Sequence, residues 1–273
     1  MKVLKSHKCF EGTTRFCEHE SKQTRTKMTF STFTPSTTPR GCLIWLSGLT
    51  CTEENFMAKA GAQKFLAEAG LMVICPDTSP RGLNLPGEHE SWDFGSGAGF
   101  YVDALTPGYS EHYRMKSYVA DELYELIQRE FNFDDQISIF GHSMGGHGAL
   151  TIGLSEPTKF KSISAFSPIV NPIECAWGKK AFLGYLGEDM SNWAKYDACE
   201  LIRSGHSHNQ PLLVDQGTAD DFLEKQLLTA NLEAACSKSS QRATIRMQTG
   251  YDHSYYFIST FVRDHIQFHA ERV

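Results

Sequence analysis

The constraint that acts first on this chain is a set of short, continuous apolar runs separated by segments of helical period. The runs are Cys42–Leu46, Leu71–Cys75, Ile137–Phe140, Ile163–Phe166 and Pro211–Val214. Strands that alternate apolar and polar residues have one wet face. Unbroken runs of this length suit strands covered on both faces, as in a parallel sheet. Helical patterns lie between them. Ala58 to Ala69 is rich in helix formers and stops at Gly70, a fitting C-cap. Tyr118 to Phe131 places Val119, Leu123, Ile127 and Phe131 four apart on one stripe. Leu223 to Ser237 and Ser254 to Arg272 are further candidates. The first forty residues differ. Phe16–His19 and Met28–Phe33 are polar and aromatic, and Pro35 and Pro39 follow. They read as an antiparallel edge. The expectation is an α/β fold with a mostly parallel central sheet, helices on both faces and an antiparallel N-terminal edge. No linker or repeat interrupts residues 1–273, so one domain is expected. The Gly-, Pro- and Ser-rich stretch 78–115 is too long to be idle connection.

Composition removes several classes of function. With 26 Lys and Arg against 32 Asp and Glu, the net charge is −6. An acidic chain lacks the cations that hold phosphates, so nucleic acid is not an expected partner. Apolar runs stop far short of the ~20 residues that cross a bilayer, and no membrane contact is expected. The N-terminus, Met1 to Lys8, has no apolar signal core. The eight cysteines, Cys9, Cys17, Cys42, Cys51, Cys75, Cys175, Cys199 and Cys236, form no C-x-x-C pair. A chain of this length needs no disulfide staples, so they are expected reduced and the protein cytoplasmic. Nothing in the sequence calls for a metal or a cofactor.

The strongest local signal is Gly141-x-Ser143-x-Gly145, placed between the apolar run ending at Phe140 and a helical pattern from Met144 to Leu154. That is the setting of a nucleophile elbow, a tight strand-to-helix turn that presents a serine. A serine needs a base to take its proton. In hydrolases of this kind the acid and then the histidine follow in the chain. His147 lies too near Ser143 in sequence, His206 and His208 sit in a polar loop, and His265 and His269 belong to a final helix that reads as packing surface. His253 follows the apolar run Ala243–Met247 and opens a loop before a helix, where the base belongs. The acid is expected after the strand Pro211–Val214. Asp215 sits at the strand end and suits the turn, whereas Asp220 and Asp221 both remain open. Two amides should hold the oxyanion: that of Met144, after the serine, and that of Leu49 in Ser47-Gly48-Leu49. Cys51, two residues beyond, is expected near the site, either as a packed thiol or as one whose oxidation closes the pocket.

Longer stretches add a resemblance. Leu46–Phe56 (Leu-Ser-Gly-Leu-Thr-Cys-Thr-Glu-Glu-Asn-Phe), Pro76–Gly82, Gly99–Tyr101, Gly141–Leu150, Asp215–Gly217 and Gly250–Phe257 together resemble the S-formylglutathione hydrolases, the esterase D family. The resemblance runs from about Cys9 to His269. It implies an α/β-hydrolase that splits a small-molecule thioester, S-formylglutathione, to formate and glutathione, the last step of glutathione-dependent formaldehyde detoxification. It implies a triad of Ser143, Asp220 and His253, choosing Asp220 over Asp221. It also covers Ala176–Lys180, so Trp177, Lys179 and Lys180 are candidates to line the glutathione pocket. A homodimer is an open expectation. The alternatives are a general short-chain carboxylesterase or acyltransferase using the same triad, or a hydrolase fold without catalysis.

Overall fold

The computed structural model describes residues 1–273, in which nine strands form one sheet. They are β1 (Lys2–Cys9), β2 (Gly12–Glu20), β3 (Lys27–Pro35), β4 (Gly41–Leu46), β5 (Leu71–Pro76), β6 (Ile137–His142), β7 (Ile163–Phe166), β8 (Leu212–Gly217) and β9 (Ala243–Gln248). Their order is β1-β2-β3-β5-β4-β6-β7-β8-β9. The pairs from β5 through β4 to β9 are parallel, and β1, β2 and β3 join antiparallel at the β5 edge. The antiparallel edge expected from the sequence is present and carries one more strand, β1, whose polar residues hid it. Every residue of β1 but the last is exposed. Its lysines, Lys2, Lys5 and Lys8, and a register break between Val3 and Lys5 disfavour pairing with a further strand.

The helices are α1 (Glu54–Lys59), α2 (Gln63–Ala69), α3 (Met115–Ser117), α4 (Tyr124–Phe131), α5 (Met144–Ser155), α6 (Ala176–Leu186), α7 (Ala198–Arg203), α8 (Thr229–Ser237) and α9 (Tyr255–Ala270). Successive residues of β4 face opposite layers. Cys42, Ile44 and Leu46 enter a core of 50 buried residues shared with α4 to α8. Leu43 and Trp45 enter a smaller core of 18 under α1, α2 and α9. Both faces are therefore dry, which is why β4 reads as an unbroken apolar run.

Three helices depart from the expected bounds. The helix expected over 58–69 is two, α1 and α2, separated at Gly61 with φ +65°; Gly70 caps α2 in the left-handed region as expected. The stripe of Tyr118–Phe131 is formed by a π-helical stretch, Tyr118–Leu123, running into α4. The pattern from Leu223 breaks at Leu228, φ +57°, before α8 begins.

The final helix is more than packing surface. His265 and His269 are fully buried and join a polar chain through the core. Ser138 Oγ meets Ser162 Oγ at 2.9 Å, Ser162 Oγ meets His269 Nδ1 at 2.7 Å, and His269 Nε2 meets Ser164 Oγ at 2.8 Å. Ser164 Oγ then meets His265 Nδ1 at 2.8 Å, and His265 Nε2 donates to Asp215 at 3.2 Å. Because the carboxylate only accepts, the proton order is fixed from that end. His265 donates to Asp215 and accepts from Ser164, which accepts from His269, which accepts from Ser162. Asp215 is held in turn by two hydrogen bonds of 2.6 Å from Arg246. Its place at the strand end suggests a role in the turn; instead it anchors β8 to β9 and α9.

This order requires neutral imidazoles, since a protonated ring donates at both nitrogens. Burial supplies that condition: it depresses His265 and His269 below the ordinary value and takes His147 down to about 4. The unfolded chain binds protons with an ordinary imidazole pKa of about 6.5. Below that pH the unfolded state holds more protons than the folded one, so stability falls as pH falls. Thermal melts should give a Tm that is level above pH 7 and declines below pH ~6.5; a Tm unchanged from pH 7 to pH 5 would exclude neutral burial of these rings.

Candidate active site

Ser143 follows the last residue of β6 and precedes the first of α5, at φ +57° and ψ −120°. A side-chain-bearing residue is strained there, and close packing maintains it. A Cβ on Gly145 would lie 2.0 Å from the Leu46 carbonyl oxygen, and one on Gly141 would lie 2.3 Å from the Gly145 oxygen. Neither position admits any residue but glycine, which accounts for both glycines of the motif. A Cβ on Gly48 would lie 3.1 Å from the Ser143 Cβ, so the β4–α1 loop runs directly beside the serine. The amide of Leu49 in this loop donates to no protein acceptor. The amide of Met144, in the first turn of α5, has no carbonyl one turn back within the helix. Two free donors thus flank the serine.

His253 Nδ1 lies 2.6 Å from Asp220 Oδ2. Asp220 also accepts from the Phe222 amide at 3.0 Å and from Gln216 Nε2 at 3.2 Å. Burial raises its pKa, but the hydrogen bond and charge of His253 and the Phe222 amide outweigh burial and hold the carboxyl below its ordinary value. The acid is therefore ionised and its partner nitrogen carries a proton. Asp221 is exposed and makes no contact with His253, so of the two adjacent aspartates only Asp220 reaches the imidazole.

Ser143 and His253 line one cleft of about 310 Å³ with Gly48, Leu49, Cys51, Trp92, His142, Trp177 and Phe222. The aromatic wall is continuous. Trp92 packs edge-on to Trp177, Trp177 against Phe222 and Phe222 edge-on to His253, with centroids 5.4, 4.8 and 5.1 Å apart. Trp177 and Cys51 both line this cleft. Lys179 is exposed on α6 and does not line the cleft; Lys180 pairs with Asp93 instead. Burial raises the Cys51 thiol, partly offset by Lys59, so it is held mainly as the thiol.

Sequence reasoning passed over His142, Trp92, Phe222, Lys59 and Tyr255. His142 carries the one available signal, adjacency to Ser143. Its ring lies 4.4 Å from that of His253, and burial drives it well below the ordinary pKa, with the charge of His253 adding to the effect. It is a neutral surface against which His253 rests. The serine, histidine and aspartate of the α9 core, Ser164, His265 and Asp215, also form a linear set, but all three are fully buried and none lines the cleft.

The Gly-rich stretch earns its length here. Tyr101 Oη donates to the Ser47 carbonyl at 3.0 Å, and the Thr50 amide to the Gly97 carbonyl at 2.9 Å. Arg81, paired with Asp77, and Thr78 Oγ1 both donate to the Cys51 carbonyl, at 3.1 and 2.7 Å. His147 in α5 donates to the Phe100 carbonyl at 2.9 Å. The loop bearing Leu49 is fixed from three sides.

A serine on an elbow, a paired histidine and aspartate and two free amides on an α/β sheet define the class of α/β-hydrolase esterases. Consistently, residues 21–268 match a family described as putative esterase. The chain is 51% identical to S-formylglutathione hydrolase of Bos taurus and 52% identical to that of Rattus norvegicus, in each case over 99% of this chain and 98% of the relative. A solved S-formylglutathione hydrolase of Agrobacterium tumefaciens, 47% identical, superposes with a TM-score of 0.97 over 100% of this chain and 99% of its own. The chain belongs to the S-formylglutathione hydrolase family. A ferulic acid esterase at 18% identity, TM-score 0.72, shares the fold alone.

The clamp on the Leu49 loop is testable with a simple ester. Arg81→Gln removes a donor to the Cys51 carbonyl while leaving the sheet intact. It should lower kcat for 4-nitrophenyl acetate roughly tenfold through a misplaced donor, with KM within about twofold and an unchanged circular dichroism spectrum. Unaltered kcat would show that the loop holds without it.

Proposed function

We propose that this protein is a serine hydrolase that cleaves S-formylglutathione to formate and glutathione, with Ser143, His253 and Asp220 as its catalytic triad. The observation that carries the reading is the 2.6 Å contact of Asp220 with His253, which lines one cleft with Ser143. His253 takes the hydroxyl proton as Ser143 Oγ attacks the formyl carbon, and Asp220 stabilises the resulting imidazolium. The carbonyl oxygen becomes an oxyanion held by the amides of Leu49 and Met144. The carbon–sulfur bond breaks, and the glutathione sulfur leaves with the proton returned by His253. A thiol of pKa ~8.5 is a far better leaving group than an alkoxide, so this step is easy. Water, deprotonated by His253, then attacks the formyl-serine ester and releases formate.

On this reading the enzyme completes formaldehyde detoxification in the cytoplasm. Residues 1–273 act as one domain, with no metal or cofactor in the chemistry. We take the assembly to be a homodimer; exposed Met1, Val3, Leu4 and Phe10 at the β1 end offer apolar area for it, and sedimentation at micromolar concentration is the check. Cys51 at the cleft wall is read as a thiol whose mixed disulfide obstructs the site. Its test is loss of activity in oxidised glutathione that Cys51→Ser prevents.

Two measurements test the main proposal. Ser143→Ala and Asp220→Asn should each lower kcat by roughly 10⁴-fold, with folding retained. The ratio of kcat/KM for S-formylglutathione to that for 4-nitrophenyl acetate should greatly exceed one and fall further for butyrate esters. A ratio near one would reassign the chain as a general short-chain esterase.

A further inference from the structure

The cleft has a second wall that the acyl chemistry does not use. It consists of Thr50, Cys51, Asn55, Lys59, Ser254 and Tyr255. Across both walls Lys59 is the one lysine or arginine, and no aspartate or glutamate is present. Its neighbours on α1 do not neutralise it. Glu54 pairs with Lys5 at 3.2 Å, and Glu53 accepts from Thr29 at 3.1 Å. The Lys59 ammonium instead stands over the Tyr255 ring, 5.7 Å from its centroid. That contact leaves the charge available to a ligand. One turn earlier on α1, Asn55 Oδ1 accepts from the Thr52 amide at 2.8 Å, while the Asn55 amide hydrogens have no protein acceptor. The wall therefore presents a cation and two neutral donors, and no acceptor charge. The opposite wall of Trp92, Trp177 and Phe222 presents no charge at all.

A glutathione thioester carries two carboxylates and one ammonium, hence one net negative charge at neutral pH. We infer that Lys59, with Asn55 beside it, binds a carboxylate of the peptidyl leaving group and so selects for glutathione thioesters over neutral esters. This inference rests on the proposed function. Lys59 touches no reacting atom; it holds the charged tail while the formyl carbon lies against Ser143. Its contribution falls in KM, because the tail's charge is the same in the bound ground state and in the transition state.

The test compares wild type with Lys59→Met, Lys59→Glu and Lys59→Arg on S-formylglutathione and on neutral 4-nitrophenyl acetate. Lys59 is solvent-exposed, and activity on the ester reports that each variant is folded. Lys59→Met should raise KM for the thioester by roughly three- to fivefold, the upper end of a solvent-exposed ion pair, with kcat within about twofold. Lys59→Glu should raise it by more, Lys59→Arg should restore it, and added salt should narrow the gap between wild type and Lys59→Met. Kinetics on 4-nitrophenyl acetate should stay within about twofold throughout. A thioester KM that is unchanged in Lys59→Met, or one that moves in step with the ester KM, overturns the inference and leaves the proposed function standing. A wild-type enzyme that fails to turn over S-formylglutathione overturns both.

Discussion

At Gly145 the backbone of α5 touches the backbone of β4. A single methyl group there would stand 2.0 Å from the Leu46 oxygen, and the same intolerance recurs at Gly141. This contact fixes the distance between the elbow and the loop that leaves β4. Once that distance is set, Gly48 must pass beside Ser143, which brings the loop bearing Leu49 next to the elbow. The strained φ of Ser143 follows from the same packing, because the chain reverses direction within one residue to enter α5. Preorganised donors of this kind stabilise charge without rearranging at the moment of reaction, which makes rigidity in the backbone a chemical property.

Rigidity at the elbow would be wasted if the Leu49 loop were free. The segment between β5 and α3 prevents that, and it does so largely without regular secondary structure. Phe100 and Tyr101 both take positive φ to turn the chain under the loop, and Tyr101 is fully buried with its hydroxyl on the Ser47 carbonyl. His147 closes the circuit from α5 to Phe100. Elbow, loop and connecting segment thus brace one another. The same segment supplies Trp92, clasped to α6 by Asp93 and Lys180, so the part that holds the amides also builds the aromatic wall.

What could be read from sequence divides along a physical line. Features governed by local rules were legible: the double-sided burial of β4, the cap at Gly70, the elbow glycines, and the placement of His253 after a strand. Features governed by what meets across the fold were not. Adjacent Asp220 and Asp221 are equivalent as a string and differ because the turn after β8 aims one inward; the family resemblance, not spacing, favoured Asp220, the one that meets His253. His265 and His269 have the spacing of any helix face, and nothing local reveals Ser162, Ser164 and Asp215 waiting opposite. Strand β1 is exposed on both sides and gives no regular apolar period. Trp177 and Lys179 are two apart on α6, so a helix aims them differently, and only the tryptophan lines the cleft.

The distribution of charge around the cleft follows from the same contrast between buried and exposed. Within the fold, several buried carboxylates are held by a specific partner. Asp215 meets Arg246, and Asp220 meets His253. Thiols and imidazoles that lack such partners are kept neutral by burial, as the raised pKa values of Cys42, Cys75 and Cys199 and the lowered ones of His142 and His147 all indicate. In an interior that screens poorly, each charge is consequential. His142 illustrates the point: a protonated ring 4.4 Å from His253 would oppose the imidazolium that proton transfer creates. Burial removes that opposition, so the histidine before the serine can pack against His253 without competing with it for a proton.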